Sequence, residues 1–202
     1  VAQCIEQVGI GFMFAQAYHP AMKFAAPLRR EIGIRTIFNI LGPLTNPAGA
    51  AYRVFGVADP NLADDIAHAL SALGVRRALV VHGDADGVDE ISISGPTSVT
   101  EWDGNGVKSY HLEPADFGFD TAQVSEIAGG SVEENAQFVR DVLGGKPGPR
   151  RDVVVMNAAA GLVVSGRARD WKEGAAQAAA AIDNGQAAAK LEAFASLSQS
   201  LA

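Results

Sequence analysis

The 202 residues suffice for one compact domain, or for one domain with a helical appendage. Hydrophobic residues make up 48% of the chain and charged residues 19%, a balance typical of folded globular proteins and not of disordered ones. The formal net charge of -7 argues against a nucleic-acid-binding protein, which usually presents a basic face. An anionic ligand would therefore need arginine, lysine, a helix N-terminus or a metal ion nearby.

The single cysteine, Cys4, cannot form a disulfide within the chain, and it lies in an apolar helical pattern typical of a buried thiol. We therefore expect a reducing, cytoplasmic environment. No basic segment followed by an apolar one opens the chain, and no run of about 18 apolar residues occurs, so we predict neither a signal peptide nor a membrane span. Because the chain begins at Val1 inside an amphipathic pattern, we expect it to be a fragment of a longer protein.

The N-terminal part of the chain is predicted to be mainly helical. Cys4, Ile5, Val8 and Phe12 recur at helical spacing, and the glycine-bounded run GIGFMFA (9–15) predicts a buried strand or a tight turn. Two short helices should follow, separated by Pro27, whose ring clashes with the preceding turn of a continuous helix.

From residue 52 onward strands and helices alternate. A strand at 52–58, a helix at 61–73 and a strand at 77–82 form a right-handed crossover unit, which predicts a partly parallel sheet. Strands at 97–102 and 107–112 are separated by Asp-Gly-Asn-Gly, which is typical of a hairpin. Further helices are predicted at 131–143, about 150–165, 170–184 and 186–198. In the second of these, the run VVVM is equally compatible with a strand.

Two adjacent carboxylates, Asp89 and Glu90, follow the strand at 77–82 and a glycine-bearing loop. In α/β proteins, ligands bind beyond the carboxyl ends of the strands. Asp84 and Asp86 add negative charge nearby, and Mg²⁺ commonly takes one or two carboxylates together with water and phosphate oxygens. The acidic pair is therefore a candidate magnesium site, although such a pair in a loop is more often solvated surface.

His19 and Arg29 fall on one stripe of a continuous helix, which directs Arg29 toward a packed face or a cleft. A guanidinium there can bind a planar carboxylate through two parallel hydrogen bonds, but a structural ion pair with an acid such as Glu31 is about as frequent. A capping or core role for His19 is more frequent than ligand contact. Ten residues of ideal helix span about 15 Å. The two side chains therefore reach one carboxylate only if the break at Pro27 brings them together.

The segment GPLTNP (42–47) combines Gly42, which can adopt positive φ, with the rigid Pro43 and Pro47. It predicts a stiff, preformed loop, although most such loops only connect elements. No serine-histidine-aspartate ordering, zinc-type Cys/His spacing, Walker loop or G-x-G-x-x-G pattern occurs. The residues thus predict no self-contained nucleophilic or dinucleotide site, and no catalytic residue or general base is assigned.

Four segments carry a resemblance to a known family: YHPAMK (18–23), PLRREIGIRTIFNILGPLTNPA (27–48), HGDADGVDEISISGPT (82–97) and NAAAGL (157–162). In their order and approximate spacing the chain resembles the C-terminal portion of anthranilate phosphoribosyltransferases. The resemblance implies an α/β fold of the nucleoside phosphorylase/phosphoribosyltransferase type, with a mixed, mostly parallel sheet flanked by helices. It implies that residues 1–47 complete a small α domain and its hinge, and that 48–202 form the C-terminal part of the phosphoribosyl-binding domain.

The resemblance implies transfer of the phosphoribosyl group from phosphoribosyl pyrophosphate to anthranilate, giving N-(5-phosphoribosyl)anthranilate and pyrophosphate, in tryptophan biosynthesis. His19 and Arg29 would then lie on the anthranilate side, with the arginine recognising the carboxylate. Gly42 and Pro43 would line the same passage.

The same resemblance implies that Asp89 and Glu90 hold Mg²⁺ against the pyrophosphate. Catalysis would then consist mainly of positioning and charge neutralisation. The implied partners are the two substrates and, in the full-length protein, a second subunit of a homodimer. Binding to nucleic acid or to a membrane is not expected. The family's glycine-rich phosphate loop and its N-terminal helices should precede Val1, so we expect the isolated chain to be inactive.

Two rival hypotheses remain. A pyrimidine nucleoside phosphorylase has a similar fold, but the segments HPAMK and LGPLTNP resemble the anthranilate branch instead. A catalytically silent binding module is the second rival. The presence of the candidate site residues and the negative net charge argue against it.

Overall fold

A computed structural model describes residues 1–13, 18 and 44–201. The chain divides into two compact units, one formed by Val1–Gly49 with Ala189–Ala202 and the other by Ala50–Ala188. The two short helices predicted around Pro27 lie outside the described residues. The assignment of residues 1–47 to a small α domain stays a prediction.

In the first unit, helix α1 (Ala2–Val8) ends at Gly9, which adopts the left-handed conformation with φ of 85°. This conformation favours glycine, and the Gly9 N–H bonds back to the carbonyl groups of the last turn. Cys4 and Val8 are buried, as predicted. Ile5 is 41% exposed, and Phe12 lies beyond the helix end and is 68% exposed. The helical spacing therefore does not mark buried positions at these two residues, and the run 9–15 is not buried at Phe12.

Four strands form the sheet of the second unit. They are β1 (Tyr52–Gly56), β2 (Arg77–Gly83), β3 (Thr97–Trp102) and β4 (Val107–Leu112), in that spatial order. β1 and β2 are parallel and are joined through α2 (Ala63–Ala72), which confirms the predicted crossover. β3 runs antiparallel to both β2 and β4, which confirms the hairpin.

Parallel pairing is therefore limited, among the described strands, to β1 with β2. The connection from β2 to β3 contains no helix, and a chain that turns back without a crossover enters the sheet antiparallel. The sheet is mixed, as expected, but its described part is less parallel than the sequence indicated.

Six further helices follow the sheet in the described chain. They are α3 (Pro114–Phe117), α4 (Val124–Ile127), α5 (Val132–Leu143), α6 (Pro149–Val164), α7 (Trp171–Asp183) and α8 (Gln186–Ser200). The four long helices agree with prediction to within about two residues, whereas α3 and α4 lie in segments without a predicted element. The run VVVM is helical, because Pro149 opens α6 and the buried residues recur at helical spacing. No helix in the described part of the chain is long and apolar enough to cross a membrane.

The hydrophobic core of the second unit lies between one face of the sheet and helices α6 and α7. Leu79 and Val81 of β2 belong to it, together with Met156 and Ala160 of α6. Because alternate residues of a strand face opposite sides, the neighbouring residues of β2 face away from this core, and they too are buried. Both faces of β2 are therefore covered, which leaves the strand ends as the places where polar side chains can collect.

Candidate functional site

Asp89 and Glu90 lie in the irregular segment 84–96 that connects β2 to β3. This segment begins at the carboxyl end of β2, beside the carboxyl end of its parallel neighbour β1. Both acidic residues are exposed to solvent. The sequence therefore placed the pair correctly at the edge of the sheet where α/β proteins bind ligands.

The surroundings of Glu90 disfavour its charged form. Partial burial raises the pKa of Glu90, and the neighbouring negative charge of Asp89 raises it further. A cation bound between or beside the two groups would favour their charged forms. Oxygen ligands of this kind suit a hard divalent ion such as Mg²⁺.

Among the residues that the structure describes, the pair has no third partner of the usual metal-binding types. Within residues 1–13, 18 and 44–201, no group of three or more His, Cys, Asp or Glu side chains is arranged to hold a metal ion. Mg²⁺ fits such a site, since it commonly binds one or two carboxylates and takes its remaining ligands from water and substrate phosphates. The donor set is thus suited to a metal that arrives with an anionic substrate.

Asp84 and Asp86 are engaged elsewhere, although the sequence suggested that they add to the charge of the pair. Asp86 Oδ2 accepts a hydrogen bond from Ser92 Oγ at 2.7 Å. Asp84 Oδ1 accepts one from Ser98 Oγ at 2.7 Å, and its Oδ2 lies 3.6 Å from His111 Nε2. These two carboxylates therefore shape the loop around the acidic pair.

Gly56, the last residue of β1, is in direct backbone contact with Asp89. A Cβ atom placed on Gly56 would lie 1.6 Å from Asp89 O and 2.6 Å from the carbonyl carbon of Asp89. No side chain fits in that space, so only glycine allows the acidic segment to approach β1. No role was predicted for Gly56 from the sequence, although a glycine inside a strand pattern is a known sign of close backbone approach.

Asn157 of α6 binds the residue that follows the acidic pair. Its Oδ1 accepts from Ile91 N at 3.0 Å, and its Nδ2 donates to Ile91 O at 3.0 Å. The residue lies in the segment NAAAGL, which carried part of the family resemblance but received no function. Single-sequence patterns contain no signal for such a contact, because it joins two elements distant along the chain.

Buried polar contacts hold both ends of the loop. His82 Nδ1 lies 2.8 Å from Val57 O, and Ser92 N donates to Thr97 Oγ1 at 2.9 Å. All three polar side chains are buried. Buried polar groups that are paired in this way restrict the backbone to one arrangement.

The other predicted site residues, His19, Arg29, Gly42 and Pro43, lie outside the described residues. Their roles in anthranilate binding stay predictions. Of the predicted site residues, the structure describes Asp89 and Glu90.

These features define an α/β protein with an acidic, Mg²⁺-suited site at the carboxyl ends of its parallel strand pair. The sequence profile of the glycosyl transferase family, a/b domain, matches residues 1–188, and the chain belongs to that family.

Individual members of the family that are similar to this chain are anthranilate phosphoribosyltransferases. The chain is 54% identical over 192 residues to an anthranilate phosphoribosyltransferase of Symbiobacterium thermophilum, a match that covers 95% of this chain and 56% of the relative. A crystal structure of anthranilate phosphoribosyltransferase from Thermus thermophilus superposes with a TM-score of 0.89 at 44% identity, covering 96% of this chain and 57% of that one.

The Saccharomyces cerevisiae enzyme, solved in complex with phosphoribosyl pyrophosphate and Mg, superposes with a TM-score of 0.80 at 33% identity, covering 87% of this chain and 51% of that one. The predicted resemblance and fold class are confirmed. The chain spans a little over half the length of these relatives.

Proposed function

We propose that the complete protein containing this chain transfers the phosphoribosyl group from phosphoribosyl pyrophosphate to anthranilate, releasing pyrophosphate, in tryptophan biosynthesis. The observation that carries the proposal is the acidic pair at the carboxyl ends of β1 and β2, in a chain 54% identical to an anthranilate phosphoribosyltransferase. Solved structures of the yeast relative carry phosphoribosyl pyrophosphate with Mg in one case and 4-fluoroanthranilate in another.

In this proposal Asp89 and Glu90 hold the cofactor Mg²⁺, whose charge, when it is bound, offsets that of the departing pyrophosphate. Partial burial, and after it the negative charge of Asp89, raises the pKa of Glu90, and a bound cation would offset both effects. The backbone contact at Gly56 keeps the pair at the edge of the sheet.

On the other side of the site, Arg29 binds the carboxylate of anthranilate and His19 lies near it, while Gly42 and Pro43 line the passage. These four assignments rest on the motifs 18–23 and 27–48, in which each residue matches the family pattern. The chain's own contribution to catalysis is then to bind and orient the two substrates, which lowers the barrier through proximity. We further propose that the complete protein is a cytoplasmic homodimer and that the isolated chain is inactive.

The test compares the 202-residue chain with the complete gene product that contains it. Loss of anthranilate fluorescence is followed with phosphoribosyl pyrophosphate and Mg²⁺, and size-exclusion chromatography with light scattering gives the oligomeric state. Consumption of anthranilate by the complete protein, dependent on both additions, supports the proposal. Phosphorolysis of thymidine or uridine without anthranilate consumption would replace it with a nucleoside phosphorylase. A folded complete protein with neither activity would favour the silent binding module.

A further inference from the structure

Asn157 makes three hydrogen bonds that fix its side chain completely. Nδ2 donates to Ile91 O and to Val153 O, each at 3.0 Å, and Oδ1 accepts from Ile91 N at 3.0 Å. Both carbonyl oxygens require a donor, so the orientation of the amide is unambiguous. The bond to Val153, one turn earlier in α6, locks the rotamer, and the other two bonds grip the backbone of Ile91.

The backbone of Ile91, to which Asn157 is hydrogen-bonded, belongs to the segment that carries the acidic pair. Ile91 N is part of the peptide group that links Glu90 to Ile91, so its orientation sets where the Glu90 side chain starts. The side chain of Ile91 is 1% exposed and belongs to the hydrophobic core. An unpaired amide group at such a position is costly, which makes the contribution of Asn157 hard for water to replace.

The peptide group on the other side of Glu90 is held by a different element. Asp89 O, which belongs to the peptide linking Asp89 to Glu90, lies against Gly56 of β1 so closely that a Cβ there would be 1.6 Å away. The two peptide groups that flank Glu90 therefore contact different elements, one through hydrogen bonds to α6 and one through close backbone packing against β1. The segment itself forms no helix or strand that would otherwise fix it.

We propose that Asn157 is a positioning residue for the metal site, and that its amide, opposite the backbone of Gly56, sets the direction in which Asp89 and Glu90 present their carboxylates to a divalent cation bound with a pyrophosphate-type anion. This inference rests on the proposed function of the acidic pair. Removing a group that orients a metal ligand without binding the metal commonly changes metal affinity by about 10- to 100-fold.

The chain contains a matched control for the same chemical contact. Asn135 grips Gly130 in the same way, with Oδ1 accepting from Gly130 N at 2.9 Å and Nδ2 donating to Gly130 O at 3.0 Å. Asn135 is exposed, and both of these hydrogen bonds are made to Gly130 and not to the acidic segment. Replacing Asn135 with alanine removes two equivalent hydrogen bonds at a position outside the proposed metal site.

The experiment uses the complete protein and the variants Asn157→Ala, Asn157→Asp and Asn135→Ala. Binding of Mn²⁺, which takes the same oxygen ligands as Mg²⁺, is measured by electron paramagnetic resonance with inorganic pyrophosphate present. We expect both Asn157 variants to weaken Mn²⁺ binding by about 10-fold or more. The KM for Mg²⁺ should rise in parallel, whereas the KM for anthranilate and the Mn²⁺ affinity of Asn135→Ala should change less than about 2-fold.

Asn157→Asp keeps the shape of the side chain and the oxygen that accepts the hydrogen bond from Ile91 N. It is therefore the variant to measure if Asn157→Ala does not fold. Gly56→Ala provides a second route, since it displaces the same segment from the β1 side and should also weaken Mn²⁺ binding. An unchanged Mn²⁺ affinity in folded Asn157→Asp, or an equal loss in Asn135→Ala, would overturn the positioning role while leaving the proposed function intact. A wild-type protein that neither binds Mn²⁺ with pyrophosphate nor consumes anthranilate would overturn both.

Discussion

Arg77 Nη2 lies 2.7 Å from Glu101 Oε1, and the side chain of Glu101 is only 3% exposed. Arg77 Nε donates to the same oxygen, and Arg77 Nη1 donates to Val163 O near the end of α6. Tyr110 donates its hydroxyl to Glu101 Oε2 at 2.9 Å. This buried network connects three strands of the sheet to the helix that carries Asn157.

Removing the cation of this network should destabilise the fold. Arg77→Ala leaves the Glu101 carboxylate buried, with the Tyr110 hydroxyl as a hydrogen-bond donor and Lys108, 3.5 Å away, as its remaining cationic partner among the described residues. Loss of one partner of a buried ion pair typically costs about 3–5 kcal/mol, and we expect the lower end because Arg77 is partly exposed. Urea unfolding followed by circular dichroism measures the free energy of unfolding. Lys146→Ala, which breaks an exposed pair with Asp141, should leave that free energy unchanged, and an equal loss in both variants would contradict the argument.

Tyr110 should make the fold sensitive to alkaline pH. Burial raises its pKa, and the negative charge of Glu101 raises it further. A phenol titrates near pH 10 in an unfolded chain. The raised pKa in the folded state means that the stabilisation is fully present below about pH 10 and is lost as the pH rises above it.

We therefore expect the free energy of unfolding to fall more steeply between about pH 9.5 and 11.5 in the wild type than in Tyr110→Phe. Urea titrations at a series of pH values test this, and absorbance at about 295 nm reports ionisation of the tyrosines in the folded protein. Identical slopes in the two proteins would show that Tyr110 is not responsible.

The acidic pair should control metal dependence in the complete protein. Asp89→Asn combined with Glu90→Gln keeps the size of both side chains but removes both negative charges. Because Mg²⁺ prefers charged oxygen ligands, the Mg²⁺ concentration for half-maximal activity should rise by about 10-fold or more. Glu133→Gln, at an exposed carboxylate of α5, should leave the Mg²⁺ dependence unchanged. A double variant with the wild-type Mg²⁺ requirement would remove the pair from the proposed site.

Arg29 should affect one substrate and not the other. Loss of charge-assisted hydrogen bonds to a carboxylate costs about 1.5–3 kcal/mol, so Arg29→Ala should raise the KM for anthranilate by about 10- to 100-fold. The KM for phosphoribosyl pyrophosphate should change much less. Steady-state kinetics with each substrate varied in turn make the comparison. The control is Arg30→Ala, because the helical pattern directs Arg30 away from the face that carries Arg29. Equal effects of Arg29→Ala on the KM values of both substrates would disprove the carboxylate role.

The elements that the sequence predicted well are those with local causes. Helix α5 begins at the Ser131 cap, whose hydroxyl accepts from Glu134 N, and the Glu134 side chain accepts from Ser131 N in return. The hairpin of β3 and β4 follows from alternating side chains around the Asp-Gly-Asn-Gly turn. The burial of Phe12 was mispredicted because apolar residues continue at helical spacing past Gly9, where the helix ends.

The sequence by itself determined the mixed α/β class, the main helices and strands of the described chain, the family resemblance and the acidic pair Asp89 and Glu90. These depend on residue type, short-range periodicity and motif order, all of which can be observed in one chain. Only the tertiary structure decided that Gly56 packs against the backbone of Asp89, that Asn157 binds the backbone of Ile91, and that Asp84 and Asp86 accept hydrogen bonds from Ser98 and Ser92. Those contacts join residues far apart in sequence, so they exist only after the strands and helices have packed together.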